Sequence, residues 1–191
     1  MSEIKTDDPL EETALDSTDA GGRHRGREVA LQVLYAIDLG ETGPRDAAAA
    51  RAAKIERGGF EPYAEADAER LLESVDPAEA SGTAFDRITE HFDVPGSAIE
   101  FARGLVAGIA KRVADLDEMV GQHARNWRVS RMAAVDRNVL RIGVYELQQT
   151  EIPVAIVIDE AVDLARRFGG DTSPSFVNGV LDAVARQVRA A

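Results

Sequence analysis

Asp159 and Asp163 place two carboxylates four residues apart on one helical stretch, with Glu160 beside them, a spacing that suits a magnesium ion. A catalytic metal site would need a second carboxylate set facing the first, with basic groups nearby for phosphate. The chain has no clean second motif, and Asp163 has a simpler use as a surface partner of Arg166 or Arg167. His24, His91 and His123 are far apart in sequence and show no ligand spacing. The absence of cysteine excludes disulfides, thiolate zinc sites and cysteine nucleophiles together. No glycine-rich phosphate loop or dinucleotide fingerprint is present. The expectation is a protein without catalytic residues, metal or cofactor, and not an enzyme.

The remaining chemistry is cationic and aromatic. Arg23, His24, Arg25 and Arg27 form a basic run where a first helix is expected to begin. Cations there oppose the helix dipole, at a cost of roughly a few tenths of a kcal/mol each. A bound polyanion is one reason to keep them, and a solvated basic surface balancing an acidic tail is the other. Gly26 within the run weakens the start of that helix. Tyr35, eight residues beyond Arg27, is expected near the same side, as a stacking face or as a tyrosine at the edge of the core. Phe176 and Phe168 read as core by their periodicity. Trp127, at a turn, reads as a packing anchor between helices. Asp136, in a first turn, suits the helix dipole.

Net charge is −12, which counts against a general nucleic-acid binder. Position weakens that objection. Residues 1–20 hold seven acids against the single Lys5, and the sign reverses immediately afterwards. Residues 1–22 are expected to be a disordered acidic tail ahead of one domain over 23–191. The chain carries no apolar run approaching a membrane span and no leader, so a cytoplasmic protein is expected, with no membrane partner.

The elements that must position these groups are helical. Val29, Val33 and Ile37 form the stripe of a helix over about 23–39, which Gly40 ends. Residues 44–92 hold three short helical patterns, the last around Phe85, Ile88 and Phe92. Ser97 to Glu100 is a capping-box signature. Beyond it, Ile99, Ala102, Val106, Ile109, Val113, Leu116 and Val120 predict one long amphipathic helix. Val135, Val139, Ile142 and Leu147 predict another. A third opens at Pro153 and stops at Gly169-Gly170, and a last one is capped by Ser173-Pro174. The fold class is all-α.

Four segments carry a resemblance: Arg23 to Tyr35, Asp136 to Leu147, Asp159 to Ala165, and Phe176-Val177-Asn178-Gly179-Val180-Leu181-Asp182. In this order and spacing the chain resembles the NusB family of transcription antitermination factors, over roughly residues 23–39 and 97–188. The resemblance implies two small helical bundles packed across each other, with residues at about 44–92 as an extra helical insertion. It implies an RNA-binding adaptor that joins NusE, a ribosomal small-subunit protein, on boxA RNA. That complex would load onto RNA polymerase and promote antitermination in ribosomal RNA operons. Arg23, His24, Arg25, Arg27, Tyr35 and Phe176 would then face RNA, and Tyr35, Asp136 and Arg137 a protein partner.

Two other classes compete. A NusB-like domain also begins certain RNA cytosine methyltransferases, but those need a further catalytic domain with a cysteine nucleophile. A helical interaction module without RNA binding is the second, since the family includes homodimers.

Overall fold

Among the described residues the chain forms seven α-helices and one short 3-10 turn, with no strand. The computed structural model describes residues 9–39, 76–90, 92–125 and 127–189. The helices are α1 (Pro9–Asp38), α2 (Pro77–Thr89), α3 (Gly96–Ala110), α4 (Val113–His123), α5 (Ala134–Gln149), α6 (Val154–Phe168) and α7 (Ser173–Val188). The 3-10 turn, Val129–Arg131, precedes α5. No described helix is long and apolar enough to cross a membrane.

The helices divide into two groups. α1, α2 and α3 pack on one another, and α4 to α7 form a second bundle around α5. α5 joins them by packing on α1 and α3 as well as on α4, α6 and α7. Its sequence explains that place: Val139, Leu140, Ile142, Val144 and Leu147 are all buried, so apolar residues cover more than one face. One continuous core runs through both bundles, from Val29 and Phe85 to Leu164 and Leu181. Each such fully buried side chain contributes roughly 1.5–3 kcal/mol.

Several expectations need correction. The first helix starts at Pro9, so residues 9–22 are helical instead of a disordered tail. Pro9 suits a first turn. Arg23 to Arg27 therefore lie mid-helix, and the dipole argument for a bound polyanion no longer applies. Gly26 does not fray a helix end. It marks the close crossing of α1 and α3, where an added Cβ would come 2.7 Å from Phe101 and 2.9 Å from the Ala98 carbonyl oxygen.

The long amphipathic helix is two helices. Between Ala110 and Val113 the chain turns out of the first bundle into the second. Leu116 and Val120 are thereby buried while Val113, on the same seam in sequence, is left exposed. Ser97 is not a cap, since α3 begins at Gly96 after Pro95 with no side-chain cap bond. Ser173 is the first residue of α7 rather than its cap, and its Oγ accepts from the Gly170 N–H at 2.9 Å. α2 lies within the expected insertion, yet Phe85 is fully buried in the core and α2 packs on α1 and α3. The two helical patterns expected between 44 and 75 lie outside the described residues.

Candidate nucleic-acid interface

Helical geometry sends the four basic residues of α1 in different directions. Residues three or four apart share a face, and neighbours do not. Arg23 and Arg27 sit one turn apart and both line a cavity of about 660 Å³, shared with Phe101, Ile152, Ile156 and Glu160. Arg23 is exposed at its rim. Arg27 is 2% exposed and lies beneath. Its Nε donates to both oxygens of Glu146, at 3.1 and 3.0 Å, and its Nη2 donates to Oε1 at 2.8 Å. Glu160 lies 3.4 Å from Nη1, and the guanidinium carbon is 5.4 Å from the Phe101 ring centre. Burial pushes the Glu146 carboxyl above the ordinary carboxylate range; Arg27 opposes that shift, Glu160 adds to it, and Arg23 also lowers it.

This corrects the expectation for Arg27. A guanidinium enclosed in this way reaches a phosphate only by abandoning Glu146, which would strand a buried charge. Arg27 holds α1 to α5 and α6. Tyr35, about two turns further along α1, is 38% exposed.

His24 and Arg25 are half-exposed around Glu28, which is almost fully buried. His24 Nδ1 is 2.8 Å from Glu160 Oε2, and its Nε2 lies 3.6 Å from Glu28. Arg25 and Arg167 both donate to Glu28. This surface is thus partly neutralised, yet its cationic groups stay in reach of solvent. Arg167 also stacks over Phe168, 5.2 Å from the ring centre.

The expected protein-facing pair divides. Arg137 is committed internally: Nε donates to Asp38 at 3.0 Å, and Nη1 reaches the Val129 and Met132 carbonyl oxygens at 3.3 Å each. Asp38 also accepts from Asn138 and Arg141, and Arg141 donates to both oxygens of Asp117 at 2.7 Å. Burial disfavours the Arg141 cation, but Asp117 and Asp38 outweigh it, so its proton is held more tightly than usual. Asp136 is half-buried, and its Oδ1 has no hydrogen-bond partner among the described residues.

Of Asp159, Glu160 and Asp163, Asp163 pairs with Arg166 and Glu160 serves His24 and Arg27. Trp127 departs most from expectation. It is 55% exposed and meets Phe176 at 5.9 Å between ring centres, tilted by 55°. Arg125, Arg128 and Arg131, close to it in sequence, are exposed as well. Their three-residue spacing around the tryptophan was present in the sequence and is the signal that could have singled out this loop.

These features define an all-helical two-bundle module that carries the basic run of α1 at its surface. The chain belongs to the NusB family, whose pattern matches residues 24–186. It is 37% identical over 163 residues to the transcription antitermination protein NusB of Anaeromyxobacter dehalogenans, covering 85% of this chain and 89% of that one. T. maritima NusB superposes with a TM-score of 0.57 at 27% identity, over 86% of this chain and 91% of that one. A crystallised complex of the antitermination factors NusB and NusE with dsRNA superposes with a TM-score of 0.60 at 25% identity, over 87% and 97%.

Proposed function

We propose that this chain is an RNA-binding adaptor that joins NusE on boxA RNA and promotes transcription antitermination in ribosomal RNA operons, as part of the RNA polymerase antitermination complex. The observation that carries the reading is membership of the NusB family together with the likeness to a NusB crystallised with NusE and RNA. Arg23, His24 and Arg25 supply solvent-facing donors for phosphate, and Phe176 an aromatic face for an unstacked base. Tyr35 and Asp136 face the protein partner. Arg27 acts from beneath by fixing the helix that carries the others.

With so few contacts, the chain alone binds RNA weakly, and its affinity falls by roughly 0.7 log units per neutralised phosphate for each tenfold rise in salt. A partner that also holds the RNA makes the second set of contacts intramolecular and tightens the complex. The test is a titration of labelled single-stranded boxA RNA with this chain, with and without NusE. Tighter binding with NusE is expected; equal affinities in the two series overturn the adaptor reading.

A further inference from the structure

We infer that His24 is a proton-operated control on RNA binding. Its imidazolium spans Glu28 and Glu160 and adds one positive charge to the α1 surface, so RNA is held tightly when the ring is protonated and loosely when it is not. This inference rests on the reading that the chain binds RNA along α1, and adds to it the means by which that surface is regulated.

The ring lies half-exposed between two carboxylates from different helices. Its Nδ1 is 2.8 Å from Oε2 of Glu160 on α6, and its Nε2 is 3.6 Å from Oε1 of Glu28 on α1 itself. A neutral imidazole has a single ring N–H, so its other nitrogen would turn a lone pair toward a carboxylate oxygen. The imidazolium carries N–H groups at both positions and is the form that answers both carboxylates. Neither carboxylate is at liberty to turn away. Glu28 is almost fully buried and receives Arg25 and Arg167, and Glu160 Oε2 also lies 3.4 Å from Arg27.

The charges that face the ring decide what its proton does. On α1 they are Arg25, Arg27 and Glu28, with Arg23 at the rim of the adjoining cavity. On α5 there is Glu146, behind Arg27, and on α6 there are Glu160 and Arg167. Asp163 and Arg166, further along α6, neutralise each other. Within the cluster the guanidinium groups of Arg25, Arg27 and Arg167 are matched by the carboxylates of Glu28, Glu146 and Glu160. The proton on His24 is therefore surplus charge, within reach of a phosphate chain on the same surface. Histidine is the side chain that ordinarily titrates in the physiological range. A residue meant only to staple α1 to α6 would serve better with a permanent charge, as its sequence neighbours Arg23 and Arg25 have.

RNA favours the state with the added charge. By linkage, binding RNA draws a proton onto the ring, and a proton on the ring tightens RNA binding by the same factor. The sign follows: affinity is highest below the titration of the ring and falls as pH rises through it.

The test is anisotropy of fluorescein-labelled single-stranded boxA RNA with the full chain, at constant ionic strength across the histidine range. Binding should be about three- to tenfold tighter at about pH 6 than at about pH 8, and no steeper than about one log unit per pH unit, the limit for one proton. His24→Gln should give a flat, weak profile and His24→Arg a flat, tight one, both with unchanged helical circular dichroism. His123→Gln, in the second bundle, should keep the dependence of the parent. The ring-proton NMR titration of His24 should move to higher pH when RNA is added. Affinity that does not change with pH, or a dependence that survives in both His24 variants, overturns the control and leaves the proposed function standing. A His24 titration that RNA leaves in place overturns it equally. No RNA binding at any pH, with or without NusE, overturns both readings.

Discussion

Arg27 of α1 and Glu146 of α5 form a buried ion pair, hydrogen-bonded through both Nε and Nη2, across 119 residues of sequence. It ties the first bundle to the second and lies directly beneath the exposed part of the basic run. Arg27→Ala should therefore cost about 3–5 kcal/mol of stability, the range for stranding one member of a buried pair. Arg23→Ala and Arg25→Ala, both nearer the surface, should cost under about 1 kcal/mol each. Urea unfolding of the three single variants checks this. An Arg27→Ala variant as stable as the parent would show that the pair is dispensable.

The same pair sets a pH dependence. The folded carboxyl of Glu146 lies above its unfolded value, with burial as the largest cause. Between those two values the folded state holds more protons than the unfolded state, so this group's contribution to stability falls as pH rises through that window. Below the unfolded value both states are protonated and the cost of ionisation is absent; above the folded value it is fully present. Carboxyl carbon shifts followed by NMR should place Glu146 above the ordinary glutamate range. In Arg27→Ala the titration should move further up, because the opposing hydrogen bonds and charge are gone. A downward movement would mean that burial does not dominate.

The apolar stripes were legible in the sequence because they are local. Val29 and Val33, Leu116 and Val120, and Val177 and Val180 are buried as their spacing requires. What the spacing could not show was tertiary. Ile109 and Val113 continue one seam in sequence, but the turn at 111–112 buries the first and exposes the second. The types in the basic run were plain to read. That Arg27 faces inward depends on Glu146 and Glu160, which come from other helices. The same holds for Trp127: a large aromatic at a turn is ordinarily buried, and only the placement of α7 sets Phe176 against it at the surface.

Gly26 offers a test of the crossing between α1 and α3. Helix propensity alone says that Gly26→Ala should stabilise the middle of a helix by roughly 1 kcal/mol. The crossing says the reverse, because the new Cβ would meet Phe101 and the backbone oxygen of Ala98 inside 3 Å. A backbone oxygen moves only with its helix, so a net loss of about 1–3 kcal/mol is expected. Thermal unfolding decides the sign, and a raised melting temperature would mean that the two helices have room to separate.

Asp38 accepts from Arg137, Asn138 and Arg141 at the C-terminal end of α1 and holds that end against α5. Asp38→Ala would leave Arg137 without a carboxylate partner among the described residues, while Arg141 would retain Asp117. The loss should be about 3 kcal/mol or more, since half-buried cations lose their counter-charge and Asn138 loses an acceptor. The effect should also spread. Arg137 holds the carbonyl oxygens of Val129 and Met132, so loosening it frees the 3-10 turn beside Trp127. Tryptophan emission should then shift and its quenching by iodide should change at temperatures well below global unfolding. Asp38→Asn, which keeps an acceptor but no charge, should fall between the parent and Asp38→Ala on both measurements. If both variants unfold as a single step with unaltered emission beforehand, the ion cluster and the aromatic loop are mechanically independent.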